Sequence, residues 1–187
     1  MIRLPVVPIV AVCMSLSVPA STREARASAF VRMDLEALSA NAEAIFVGRV
    51  DEIVSHVVSP TTDRIVTDVT LRCERDLLGA PDGSRFVIRH LGGEVGGMGQ
   101  LVFGEARYSV GERVLVFAAK RQGSWYTLGM AQGALHVYVD ENGAQRVRTH
   151  IAGARLLGHE GSGGPDGLTL DAVVDEVRSF VARKARK

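Results

Sequence analysis

Apolar and polar residues alternate along much of the chain, and this period of two predicts a mainly β fold. The pattern is clearest between residues 64 and 79, where one face of the predicted strand is apolar and the other polar or charged. The apolar face comprises Ile65, Thr67, Val69, Leu71 and Cys73. We therefore expect Cys73 to be a buried small hydrophobe and not a reactive thiol.

The preceding apolar stretch, IFVGRVDEIVSHVV (residues 45–58), does not keep one alternation. Ile45 and Val47 share one parity, whereas Val50 and Val54 take the other. Gly48 lies where the parity changes, which predicts a bulge or sharp coil in a long strand.

Further strands are predicted over residues 85–91, 111–120 and 124–129, followed by a hairpin whose turn contains DENG (residues 140–143). A two-residue turn would place the hairpin valines opposite arginines. A three-residue turn, with Gly143 in a left-handed conformation, pairs Val137 with Val147 and Tyr138 with Arg146. The second register separates apolar from polar faces, so it is the one we predict.

Two helices are predicted, one near each end of the folded region. Asp34 is a candidate N-cap for a short helix that carries Leu35, Leu38 and Ala42 on one face. Residues 169–187 show helical spacing of apolar side chains and end in a basic tail. The predicted fold is therefore mainly β: a five- to six-stranded antiparallel OB-like barrel with a short N-terminal helix and a C-terminal amphipathic helix.

The first 27 residues have the layout of a secretory signal peptide, with Arg3, an apolar run from Leu4 to Val18 and small residues after it. We predict a cut after Ala27, or alternatively after Ala20. A lipoprotein signal would need Cys13 just after the apolar run, and it lies within that run. The expected location is secreted, periplasmic or in the cell envelope. Residues 28–157 then form the OB-like domain, residues 158–168 a flexible linker and residues 169–187 the helix with its tail.

Charge and cysteine content narrow the possible functions. The whole chain has 22 basic and 21 acidic residues, and removing residues 1–27 takes away three arginines and one glutamate, which leaves 19 and 20. A near-neutral domain lacks the basic surface expected of a nucleic-acid partner. Cys73 remains as the single cysteine, so no internal disulfide is possible. No apolar run in the mature chain is long enough for a transmembrane segment.

The glycine-rich stretch HLGGEVGGMGQ (residues 90–100) fits no known phosphate or metal motif. Gly97 and Gly99 match the start of a dinucleotide fingerprint, but Val102 occupies the third glycine position. His90 and Glu94 do not have the spacing of metal ligands. The same is true of a second group, His150, His159 and Glu160, and Ser162 is not in a nucleophile elbow. We predict no catalytic residues, no metal site and no cofactor.

A long glycine-rich connection on a β scaffold is a common place for binding residues. The exposed side chains that it could offer a partner are Glu94, Val95, Met98, Gln100 and Arg107. In a competing interpretation, the glycines only allow one strand to pass close to another, and the loop has no partner.

Three segments carry a resemblance to a known family: AIFVGRV, TDVTLRCERDLLG and YSVGERVLVF. Over residues 42–130 they resemble the netrin-like modules of tissue inhibitors of metalloproteinases, and still more the uncharacterised exported bacterial proteins of similar pattern. The resemblance implies an OB-type barrel and export. Those inhibitors begin with a zinc-chelating cysteine, and neither predicted cut leaves a cysteine first, so the resemblance does not extend to their mechanism.

The sequence therefore favours an exported, non-catalytic module that binds a protein partner. The alternatives are a loop-based protease inhibitor, a secreted hydrolase of unrecognised type and a structural envelope protein. The sequence does not specify the oligomeric state.

Overall fold

The computed structural model describes residues 28–59, 63–151, 154–157 and 164–186. The predicted signal peptide lies outside these residues, as do His159, Glu160 and Ser162. The fold is mainly β, which confirms the fold class predicted from the alternation.

The described residues form eleven strands and two α-helices. In chain order they are β1 (Ser28–Val31), α1 (Leu35–Asn41), β2 (Ala44–Ser59), β3 (Arg64–Leu78), β4 (Arg85–Leu91), β5 (Gly93–Val95), β6 (Met98–Gln100), β7 (Arg113–Arg121), β8 (Ser124–Thr127), β9 (Ala134–Val139), β10 (Gln145–Thr149), β11 (Ala154–Leu157) and α2 (Leu170–Lys184). A short 3-10 turn, Met130–Gly133, joins β8 to β9.

Five strands form a closed ring in the order β7-β2-β3-β4-β8, because β8 pairs with both β4 and β7. The ring pairings are antiparallel except for β4 with β8, which are parallel and share one residue pair, Ile88 with Trp125. β9 and β10 continue the sheet outward from β7. Along the chain, consecutive strands of this sheet are joined by short connections, except that 21 residues, which include the glycine-rich stretch, separate β4 from β7.

The pairing of β2 with β3 shifts between Val47 and Gly48, but the extra residue there is Glu74 of β3, so the bulge predicted at Gly48 lies in the partner strand. A bulge of β2 itself is at Asp51, between Val50 and Glu52. A Cβ atom on Gly48 would lie 2.9 Å from the Phe46 ring and 3.0 Å from the Arg72 carbonyl oxygen. Real Cβ atoms are not found so close, so only glycine fits where the strand coils. Coiling of this kind lets one long strand pair with β3 and β7 around a closed ring.

Two apolar clusters lie on opposite faces of β2 and β7. The cluster inside the ring is built around Phe46, Val69, Leu71, Ile88 and Val114, and it includes Cys73, which is 2% exposed. The burial predicted for Cys73 is therefore confirmed. Burial also raises the pKa of its thiol to about 11, and an adjacent Asp82 carboxylate adds to this effect.

The second cluster lies outside the ring, where both helices cover the sheet. Ile45, Val47, Leu115, Phe117 and Leu135 supply the strand side of this cluster. The helices contribute Leu35, Leu38, Leu170, Val173, Val174 and Val177, all of them buried. Asp34 caps α1 by accepting from the Ala37 amide at 2.8 Å, and Thr169 caps α2 by accepting from the Ala172 amide at 3.3 Å.

The β9–β10 hairpin has the predicted register, with Val147 opposite Val137 and Arg146 opposite Tyr138. Gly143 is left-handed, with φ +80°. The number of strands in the described residues differs from the predicted five to six. Four of the additional strands, β1, β5, β6 and β11, have only three or four residues, too few to show an alternation in the sequence.

The end of the predicted linker is attached to the sheet. The Val147 amide donates to the Leu168 carbonyl at 3.0 Å, and the Gly167 amide donates to the Val147 carbonyl at 2.8 Å. The Asp166 carboxylate accepts from the Thr149 amide at 2.7 Å. Residues 166–168 therefore cover the outer edge of β10, where composition alone predicted a free linker.

Candidate functional site

The connection between β4 and β7, residues 92–112, is called here the excursion. It leaves β4 at two tightly packed glycines, of which Gly92 contacts β6 of the excursion itself and Gly93 contacts the ring. A Cβ atom on Gly92 would lie 2.4 Å from the Gln100 carbonyl oxygen, and one on Gly93 would lie 2.3 Å from Thr67 Oγ1. Both have positive φ, +87° and +136°, which L-residues with side chains rarely adopt. These glycines are required by close approach.

The next two glycines have a different environment. Gly96 and Gly97 form the turn between β5 and β6, with φ of +57° and +83°. A Cβ atom at either position would meet nothing within 4 Å. They allow a tight hairpin turn and pack against no other part of the described chain.

Side chains of the excursion bind backbone groups of the ring. Gln100 Oε1 accepts a hydrogen bond from the Ile65 amide at 2.8 Å, and Glu105 Oε1 accepts one from the Leu91 amide at 3.0 Å. In addition, the Ala131 amide donates to the Gly104 carbonyl at 2.9 Å. The excursion is therefore held at several points along its length, although it contains little regular structure.

Tyr108 anchors the second half of the excursion in a row of aromatic rings. Its hydroxyl lies 2.8 Å from Thr127 Oγ1, and its ring centroid lies 6.0 Å from that of His90 and 6.1 Å from that of His136. His136 is 4% exposed and stacks on His150 with 4.7 Å between ring centroids.

Glu112 connects this row to the end of the excursion. Its Oε2 atom lies 3.2 Å from His136 Nδ1, and its Oε1 atom accepts from the Ser109 amide at 2.7 Å. The turn that returns the chain to β7 is thus fixed to β9 by a single carboxylate.

Burial shifts the pKa values of three groups at the base of the excursion, the part that packs against the ring. It raises the pKa of Glu105, although the amides of Leu91 and Ala106 partly oppose this by hydrogen bonding to the carboxylate. It raises the pKa of the Tyr108 hydroxyl as well. It lowers the pKa of His90, whose Nδ1 atom is buried without a hydrogen-bond partner in the described part of the chain. All three shifts have desolvation as their main cause, as expected of a packed base.

Three of the five predicted binding residues line one open cleft of about 500 Å³. Glu94, Gln100 and Arg107 lie around it, together with Glu105 and Leu101. Gln100 has a structural role here through its bond to Ile65, so only part of this side chain is free for a partner. Glu94 and Arg107 are exposed and supply opposite charges to the rim.

The other two predicted residues, Val95 and Met98, face each other across the β5–β6 pair. Met98 is 54% exposed, and Val95 is half-buried. They belong to the tip of the hairpin and do not line the cleft.

The structure adds two exposed apolar residues that the sequence analysis did not select. Leu101 is 62% exposed and Phe103 is 49% exposed, and both follow β6 directly. They lie in LVFGEARY, within the predicted connection between strands, where an apolar run of three residues was the available signal for an exposed patch. The glycines on either side were the available sign that this stretch does not enter the sheet.

Within the described ranges, no group of three or more His, Cys, Asp or Glu side chains is arranged to hold a metal ion. Among the helices of those ranges, none combines the length and the apolar character needed to cross a membrane.

No protein-family model matches the chain, and a search of curated proteins gives no significant match. The geometry of the excursion is therefore the basis on which a function is proposed.

Proposed function

We propose that this chain is an exported, non-catalytic module that binds a protein partner through the excursion. One observation carries the proposal. Of the ten large hydrophobic side chains that are exposed in the described residues, four lie between positions 98 and 110: Met98, Leu101, Phe103 and Val110. Water-exposed apolar side chains gathered on one segment mark interaction surfaces more often than scattered ones do.

The surroundings of these side chains suit a protein partner. Leu101 lines the same cleft as Glu94 and Arg107, so an apolar centre lies beside charged groups of both signs. Protein interfaces commonly combine a few apolar anchors with a polar rim. A partner that inserts an apolar side chain beside Leu101 could place a basic group near Glu94 and an acidic group near Arg107.

The attachment of the excursion lowers the cost of binding. Ordering a free glycine-rich loop would consume much of the interaction free energy. Here Gln100, Glu105 and Tyr108 already hold the segment through bonds to Ile65, Leu91 and Thr127. Met98, Leu101 and Phe103 are therefore presented from a partly preorganised base.

The proposal includes a finer description of the fold and location. We propose that the ring of five strands is a barrel of the OB type, with the excursion as the loop that carries binding. Export is proposed from the charge, apolar run and small residues of positions 1–27. Mass spectrometry of the exported form would test the second point, because a chain that still begins at Met1 would contradict cleavage.

Site-specific photo-crosslinking in the producing cells tests the binding proposal. A photoreactive amino acid is placed at Leu101, and in a matched control at Val139, which is 64% exposed on the β9–β10 hairpin. We expect a discrete protein adduct from position 101 and none from position 139. Equal adducts from both positions, or none from either, would contradict binding through the excursion. Turnover of the captured protein by the purified chain would contradict a non-catalytic role.

A further inference from the structure

The distal half of β2, residues 51–59, has a free edge. β2 pairs with β7 only from Ala44 to Arg49, and two further backbone bonds join Val50 to Gly111 and Glu112. Its pairing with β3 continues to Ser59. Beyond Val50, no described strand pairs with the side of β2 that faces away from β3.

Within the stretch from Glu52 to Val57, this edge lacks lysine, proline and β-bulges, three devices that prevent strands from pairing with other chains. Between Glu52 and Val57 the pairing with β3 is regular, with register shifts only on either side. The stretch EIVSHVV (residues 52–58) contains no lysine and no proline. Seven extended residues span about 23 Å, enough for a strand-to-strand contact.

The two faces of this strand segment differ. Ile53 packs against the cluster inside the ring, and Ser55 Oγ lies 2.8 Å from Thr67 Oγ1. On the other face, Val54 and Val58 are 46% and 51% exposed. Alternation places Glu52 and His56 on this outer face beside Val54.

We propose that this edge pairs with the same edge of a second copy of the chain, antiparallel about a two-fold axis through Val54. That register places Glu52 of each copy opposite His56 of the other, so a carboxylate meets an imidazole on both sides of the axis. The two Val54 side chains meet at the centre. Cross-strand pairs of these kinds stabilise antiparallel sheets. A two-fold contact uses the same patch on both copies, which the self-complementary sequence satisfies.

The edge favours a second copy over an unrelated strand because Glu52 and His56 lie symmetrically about Val54, so the edge is complementary to itself. The antiparallel arrangement is favoured because a parallel in-register contact would set Glu52 against Glu52. The proposal is independent of binding through the excursion, because Leu101 and Phe103 take no part in it.

Sedimentation velocity of the purified protein over a wide concentration range tests the proposal. We expect a reversible monomer–dimer equilibrium. Val54→Lys, which places two ammonium groups together at the axis, should raise the dimer dissociation constant at least about tenfold. Val87→Lys is the matched control, since Val87 is 47% exposed on β4, and it should leave the dissociation constant unchanged. A wild-type protein that is monomeric at every concentration would overturn the proposal, as would a dimer indifferent to Val54→Lys.

An exchange of the paired residues tests the register. Glu52→His places imidazoles opposite each other, and His56→Glu places carboxylates opposite each other, so each single change should weaken the dimer. The double variant restores both pairs between the copies and should dimerise more tightly than either single variant. In each copy, however, His56→Glu also places a carboxylate beside Asp68 of the same chain, where His56 Nδ1 is 3.9 Å from Asp68 Oδ2. Thermal melts establish that each variant is folded. A double variant no tighter than the weaker single variant would overturn the two-fold register.

Discussion

The excursion contains two pairs of adjacent glycines that have different physical roles. One pair lies at its base, where the chain leaves β4, and the other at its tip, the turn between β5 and β6. At the base, Gly92 and Gly93 lie where a side chain would collide with Gln100 or Thr67. At the tip, Gly96 and Gly97 have positive φ and open space around them. The two interpretations of the glycine-rich stretch, steric and functional, therefore apply to different parts of it.

The difference shows how a connection with little regular structure can still be held at several points. The base carries the buried groups and the hydrogen bonds to the ring, so changes there should lower the stability of the fold. Met98, Leu101 and Phe103 are exposed apolar side chains, so changes to them should affect the proposed binding and leave the fold intact. The predictions below test this division.

The largest effect is expected at Gly93. Gly93→Val requires a Cβ atom 2.3 Å from Thr67 Oγ1 and 2.5 Å from Ser55 Oγ, at φ +136°. We expect a loss of at least about 3 kcal/mol in the free energy of unfolding, from overpacking and backbone strain together. Gly97→Val is the matched control with backbone strain alone, and should cost about 1 to 2 kcal/mol. Urea unfolding measures both, and equal losses would contradict the division.

A smaller effect is expected for the anchor at Tyr108. Tyr108→Phe removes the hydroxyl that lies 2.8 Å from the buried Thr127 Oγ1. The loss should be about 1 to 2 kcal/mol in the free energy of unfolding, since Thr127 is left without that partner. Tyr138→Phe on the β9–β10 hairpin is the control and should change stability by less than about 0.5 kcal/mol. If the two variants unfold at the same urea concentration, Tyr108 does not anchor the excursion.

The buried carboxyl of Glu105 should give the base a distinctive pH dependence. Its pKa is raised in the folded state, so the folded chain keeps a proton that the unfolded chain has released. Stability from this group is therefore present below the unfolded pKa, about 4.5, and is lost as pH rises through the folded pKa.

Glu105→Gln isolates this contribution because glutamine keeps an oxygen acceptor for the Leu91 amide but does not titrate. We expect the free energy of unfolding of wild type, relative to the glutamine variant, to fall as pH rises from 4.5. Urea unfolding at a series of pH values measures the difference. A difference that rises with pH over this interval would contradict burial as the dominant cause.

The smallest effects on stability are expected at the rim and the tip. Glu94→Ala and Met98→Ala change side chains that are exposed, and each should alter the free energy of unfolding by less than about 0.5 kcal/mol. Thermal melts beside those of the Gly93 and Tyr108 variants would show this. A large loss at Met98 would indicate that the tip supports the fold.

The long, regularly alternating strands were predictable from sequence because each residue faces either the core or the solvent. The change of parity along β2 predicted a bulge at Gly48, whereas both faces of β2 are buried there and its own nearest bulge is at Asp51. The register of β9–β10 followed from matching Val137 with Val147. Cys73 was placed correctly for the same reason.

The site was less predictable because its contacts join residues far apart in sequence. Gln100 was selected as an exposed polar residue, but its side chain binds the amide of Ile65, 35 positions away. Phe103 was not among the candidates, because the sequence does not show which apolar side chains of a long connection remain exposed. The row from His90 through Tyr108 to His136 arises only when the ring closes.

The most direct test of binding through the excursion is a calorimetric titration of the crosslinked partner, once purified, with matched surface variants. Leu101→Asp and Phe103→Asp replace exposed apolar groups on the excursion, and Val139→Asp makes the same kind of change on the β9–β10 hairpin. We predict that each excursion variant weakens binding at least about tenfold, since contact energy is concentrated in a few apolar anchors. The Val139 variant should bind as the wild type does. Unchanged affinity for both excursion variants, or an equal loss for all three, would contradict the account.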